Sequence, residues 1–146
     1  MITSQNNFLN NEKFWKIHAA VYSKEIPWFK EGNLFTHTLV KNSKINSSFA
    51  NLLGAFKEEI QDPITEACLF LVPKTGKENA IEHNLNQKTL IYTLDTSNGP
   101  KLISSIQEIE TKQNSAIIID YPTSVIQKRQ SDSDYIGMFY VSFKNK

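Results

Sequence analysis

At 146 residues the chain has the length of one domain. Hydrophobic residues make up 40% and charged residues 21%, with 5 glycines and 5 prolines, a balance that excludes a disordered or collagen-like chain. The 16 basic and 15 acidic groups leave a net charge of +1, and Arg129 is the one arginine, so neither nucleic acid nor an anionic membrane is an expected partner.

The polar start, residues 1–10, reads as a flexible lead-in. Phe14, Ile17, His18, Val21 and Tyr22 then fall on one face of a helix, with Asn10 or Asn11 as its cap and Pro27 beyond its end. Trp28 and Phe29 lie in a turn-like stretch. Leu34 to Val40 is Thr-rich and alternating, as a strand is. Ser47 or Ser48 opens a second helix with the stripe Phe49, Leu52, Leu53, Phe56 and Ile60, ended by Pro63. Glu66 to Val72 is a near-continuous apolar run that reads as a buried strand. Lys77 to Gln87 is polar and carries no clear period. Lys88 to Asp95 reads as a strand. The segment after Gly99-Pro100 reads as a third helix, with Leu102, Ile103, Ile106 and Ile109 as its apolar face. Ala116 to Asp120 is a short strand, Thr123 to Gln130 one or two helical turns, and Tyr135 to Phe143 a strand apolar on both faces.

This order predicts an α+β fold in a single domain over 1–146. The expected core is a mixed sheet of about five strands with three main helices, including one βαβ crossover over 88–120.

Motifs for chemistry are missing. Lys74-Thr75-Gly76-Lys77 lacks the first glycine of a phosphate-binding loop, and Glu78 stands where the magnesium hydroxyl belongs. His18, His37 and His83 are far apart and show no metal-ligand spacing, so no metal and no cofactor are expected. Cys68, the one cysteine, sits inside an apolar run and reads as an inert core thiol. The chain shows no secretory leader and no spanning apolar run, which points to the cytoplasm.

Three readings of function remain. The general profile resembles that of bacterial toxin-immunity proteins, being small, cytosolic and without catalytic motifs. The resemblance implies a binding module, not an enzyme, that occludes another protein, a cognate toxin. Its candidate contacts are the off-stripe aromatics Trp15, Trp28 and Phe29 and the acidic pairs Glu58, Glu59 and Asp132, Asp134. The alternative is a small-ligand-binding or enzymatic domain using Asp95 and Asp120, each at the end of an expected parallel strand. The third is an oligomeric, secretion-associated adaptor.

Overall fold

A computed structural model describes residues 2–31, 34–73, 80–85, 87–94, 101–103, 108–120, 123–128 and 135–143. In chain order they form β1 (Ile2–Gln5), α1 (Asn11–Val21), β2 (Phe29–Glu31), β3 (Leu34–Lys41), β4 (Lys44–Ile45), a 3-10 helix (Ser48–Phe56), β5 (Ile64–Pro73), β6 (Ala80–Leu85), β7 (Thr89–Thr93), β8 (Lys101–Ile103), β9 (Glu108–Glu110), β10 (Ser115–Ile119), β11 (Thr123–Lys128) and β12 (Tyr135–Phe143).

The strands make two antiparallel sheets. The larger runs β1-β10-β7-β12-β5-β3-β2, with β4 paired to β3, and the smaller runs β6-β11-β8-β9. From β5 to β8 successive strands alternate between the sheets, and so do those from β9 to β12. Two facing four-stranded sheets, β5-β12-β7-β10 and β6-β11-β8-β9, built by such alternation are a jelly roll. The remaining strands widen the larger sheet.

The larger sheet is buried on both faces, and the strand sequences explain how. Along β12, Phe139, Val141 and Phe143 join the core under α1 and the 3-10 helix, whereas Met138 and Tyr140 join the core between the sheets. Along β7, Leu90 and Tyr92 face the helices and Ile91 faces the smaller sheet. Period-two alternation with apolar residues on both sides is what a central layer requires. Phe56 fills the middle of the helix-side core, its ring edge-on to Tyr92 at 5.1 Å and to Phe139 at 5.3 Å.

Local signals fix the element ends. Asn10 caps α1, its side chain accepting from the Lys13 N–H at 2.9 Å, and Ser47 caps the 3-10 helix through the Phe49 N–H at 3.1 Å. Asn42 and Ser43 both have positive φ, 51° and 63°, the handedness that a two-residue hairpin turn between β3 and β4 demands. Asn114, with φ 54°, ties the segment after β1 to the barrel. Its side-chain carbonyl accepts from the Leu9 N–H and the Tyr92 hydroxyl, and its amide donates to the Leu9 carbonyl. Phe8 and Leu9 are buried there, and β1 pairs with β10.

The fold differs from the α+β expectation. The architecture is mostly β, and the expected third helix over Leu102 to Ile109 contains two strands, β8 and β9, which pair with each other. Spacings of three and four mimic a helical face when two short strands follow in succession, and β-branched isoleucine favours the strand. The expected βαβ crossover over 88–120 is absent, because β7 and β10 are direct antiparallel neighbours. Thr123–Lys128, read as helical turns, is a strand between β6 and β8. The sheet is antiparallel throughout its described pairings rather than mixed, and larger than five strands.

Candidate functional site

The inner face of the larger sheet turns polar at one end. Two adjacent cross-strand rows make the change. Thr38 on β3, Cys68 on β5 and Tyr140 on β12 stand side by side, and the next row is Glu66 on β5, Ser142 on β12 and Thr89 on β7. Phe70 lies one row further in, its ring edge-on to Tyr140 at 5.0 Å. Leu85 from β6 and Gln87 from the β6–β7 connection close the space from the other side. The result is a cavity of about 410 Å³ lined by these residues together with Ala67 and Lys41.

Burial grades across the cavity. Lys41 and Glu66 are exposed at its mouth, while Thr89, Tyr140 and Leu85 are buried in its wall. The mouth is braced by the β3–β4 turn: the Asn42 N–H donates to Glu66 Oε1 at 3.1 Å and the Ser43 N–H to the Thr65 carbonyl at 2.9 Å. Within the wall, the Thr89 hydroxyl donates to the Gln87 carbonyl at 2.9 Å and lies 3.0 Å from Ser142 Oγ. The Gln87 side-chain oxygen accepts from the Thr65 hydroxyl. Burial pushes the Cys68 thiol from its ordinary 9.0 up to about 11, with hydrogen bonds from Thr38 and the His37 backbone opposing the shift. Burial likewise holds the Tyr140 phenol protonated well above its usual range. Both groups are neutral at physiological pH.

Two smaller hollows lie elsewhere. One, of about 330 Å³, runs beside the edge strand β2 and is flanked by Phe29 and His37. His37 turns away from the inter-sheet cavity: its ring nitrogens sit 2.9 Å from the Pro27 carbonyl and 2.7 Å from Ser47 Oγ. The other, of about 210 Å³, lies beside Trp15 and Asn114.

The residues singled out from sequence scatter over the molecule. Trp15 is 51% exposed on α1 and Phe29 63% exposed on β2, while Trp28 is half-buried against the helix-side core. Glu58 and Glu59 are exposed beyond the 3-10 helix, Glu58 at 3.6 Å from the Lys13 ammonium. Asp95, Asp132 and Asp134 lie outside the described residues. Asp120 is exposed just after β10. Since β7 and β10 are antiparallel, with Thr93 opposite Ser115 and Thr89 opposite Ile119, the ends of the two strands point opposite ways. The parallel pairing on which that edge rested is therefore absent between the described strands. The cavity residues went unnoticed in the sequence, apart from Cys68, because they come from separate strands with no shared spacing. The one available signal was a polar residue recurring on one face of otherwise apolar strands, at Cys68, Thr89 and Ser142.

No protein-family model matches the chain, and no curated protein matches it. Solved structures do. An oxidoreductase of the 2OG-Fe(II) oxygenase family from Burkholderia pseudomallei is 9% identical over 99% of this chain and 85% of its own, with a TM-score of 0.69. A predicted oxalate decarboxylase from Thermotoga maritima is 11% identical over 84% of this chain and 96% of its own, at 0.54. An RmlC-like cupin protein from Ralstonia eutropha is 11% identical over 80% of this chain and 62% of its own, at 0.50. The fold is a cupin-like jelly roll. This overturns the expectation of a toxin-immunity protein, which rested on general profile alone: the chain is similar in fold to proteins described as an oxygenase, a predicted oxalate decarboxylase and an RmlC-like cupin.

The iron named for the Burkholderia protein invites a test of the donor set here. Non-haem iron of that kind is held by two histidines and a carboxylate. The described cavity offers hydroxyls, a protonated thiol, an amide and the single carboxylate of Glu66. Among the described residues no group of three or more His, Cys, Asp or Glu side chains is placed to hold a metal ion. The described donors do not fit such an iron centre. Among the same residues no helix is long and apolar enough to cross a membrane.

Proposed function

We propose that the protein binds a small molecule in the cavity between its two sheets. The observation that carries this reading is the polar end of an otherwise apolar sheet face, enclosing about 410 Å³. That size falls within the range of small-ligand sites, whose usual lining is apolar with a few placed polar groups. Fixed hydroxyls on rigid strands orient a ligand at little entropic cost, since the strands are held on both sides. Similarity in fold to proteins described as an oxygenase and a predicted oxalate decarboxylase supports a small-molecule reading.

The proposed activity is binding, without a reaction assigned to it. A thiol pushed up to about 11 is almost wholly protonated near neutrality, so Cys68 is a poor nucleophile. Glu66 is exposed at the mouth and already accepts the Asn42 N–H.

Amide NMR of the full chain against a library of small polar fragments tests the reading. Binders are expected to shift the backbone amides of Thr38, Cys68, Thr89, Tyr140 and Ser142. Binders that move only the amides around Trp15 or along β2 would refute it, as would a library without binders.

A further inference from the structure

The hydrogen-bond chain in the cavity wall carries information about the ligand. Thr89 has one hydroxyl proton and gives it to the Gln87 carbonyl. The 3.0 Å contact between Thr89 and Ser142 must then use the Ser142 proton. Ser142 Oγ is left with lone pairs, and the residue lines the cavity. Gln87 is oriented the other way. Its carbonyl oxygen accepts from the Thr65 hydroxyl, the closer of that hydroxyl's two acceptors (the Ser142 carbonyl lies at 3.3 Å), which leaves the Gln87 amide N–H groups as donors at the same wall. The wall thus offers an acceptor at Ser142, in the row that Glu66 begins, and a donor at Gln87.

Charge narrows the choice further. Among the described residues, the ionisable side chains lining the cavity are Lys41 and Glu66 at the mouth, opposite in sign, and Cys68 and Tyr140 within, both neutral. A carboxylate or phosphate seated against Ser142 would lie beside Glu66, its cross-strand neighbour on β5, whose like charge opposes it.

We infer that the cavity selects an uncharged, hydroxyl-bearing ligand of the polyol or sugar type, one hydroxyl of which donates to Ser142 Oγ and accepts from the Gln87 amide. The inference rests on the cavity being the binding site. A hydroxyl can donate and accept at once, so one group satisfies both partners, whereas a carboxylate can only accept and faces the Ser142 lone pairs.

The test uses the full chain with matched compounds: hexitols and hexoses against the hexarates of the same carbon chain, which carry a carboxylate at both ends. Thermal unfolding and titration calorimetry read the result. A neutral member at ten times its Kd is expected to raise Tm by about 3–6 °C. It is expected to bind at least about tenfold more tightly than its diacid. Ser142→Ala is expected to weaken it by about fivefold, and Gln87→Glu to abolish it by turning a donor into a second acceptor. Glu58→Gln, exposed beyond the 3-10 helix and outside the cavity, is expected to leave it unchanged.

Tighter binding of the diacids, reduced by Ser142→Ala, would overturn the ligand class and leave the cavity as the site. Binding insensitive to both Ser142→Ala and Gln87→Glu would move the site elsewhere and overturn both readings. A panel in which no neutral member shifts Tm overturns the ligand class, and the amide map then decides the cavity itself.

Discussion

Asn114→Ala is the sharpest test of how the segment before α1 is held. The Asn114 side chain meets three buried partners: the Leu9 N–H at 3.1 Å, the Leu9 carbonyl at 2.8 Å and the Tyr92 hydroxyl at 2.5 Å. Truncation orphans all three. Each lost bond leaves a desolvated polar group at about 1–3 kcal/mol, and water relieves part of that. Three such groups give about 3–5 kcal/mol. The backbone adds to this, since φ is 54° and alanine resists the left-handed region by roughly 1 kcal/mol relative to asparagine. The expected total is about 4–6 kcal/mol, which for a chain of this size lowers Tm by roughly 10–20 °C. Tyr92→Phe serves as the partial perturbation. It removes one hydroxyl and keeps both Leu9 bonds, so its expected cost is about 1 kcal/mol. Thermal unfolding by circular dichroism measures both, and hydrogen exchange at Leu9 should accelerate in the alanine variant first. An Asn114→Ala loss no larger than that of Tyr92→Phe would show that the Leu9 bonds add nothing, and the reasoning would fail.

Two further outcomes follow from packing and burial. Gly137→Ala places a methyl 3.1 Å from Val21 Cγ1 and 3.3 Å from both Leu94 Cδ1 and the Tyr22 hydroxyl, so it should destabilise by about 1–3 kcal/mol in a denaturant titration. An unchanged midpoint would mean that α1 yields freely against β12. Cys68 alkylation in native protein should climb about tenfold per pH unit from neutrality to near 11, because the reactive thiolate grows with pH until its raised pKa is reached. The sign for stability follows from the same shift: between 9 and 11 the native state holds a proton that the unfolded thiol has released, so this group's contribution falls as pH rises. A rate that levels off near pH 9 would place the thiol in water.

Legibility in the sequence followed how local each cause is. Helix α1 was readable because its face and its Asn10 cap lie within a dozen residues of one another. The stripe from Phe49 to Ile60 was readable as a packing face, although Ser48–Phe56 winds as a 3-10 helix and Phe56 alone of the stripe is fully buried. Strands β3, β5, β7, β10 and β12 were readable from runs of Thr, Val, Ile, Phe and Tyr. Partner choice was not. Nothing in Thr89 to Thr93 states that its neighbours are β10 and β12, and a βαβ unit fitted the spacing as well as a jelly roll did. The isoleucines at 103 and 109 supplied helical spacing from two separate strands. Cavity formation was the least legible property, since Thr38, Cys68, Thr89 and Ser142 acquire their shared chemistry only through cross-strand register.

The place of β12 has a consequence for how the molecule is made. The last described strand in sequence fills the seam between β5 and β7, two strands that emerge from the ribosome much earlier. Until residue 143 is available, β5 and β7 each present an apolar ladder with an open edge, the kind of surface that recruits other nascent chains. Closure of the sheet therefore waits for β12, however early the helix forms. A product ending before Tyr135 would lack the strip that joins both halves of the sheet, and it would collect in aggregates rather than as a shortened barrel.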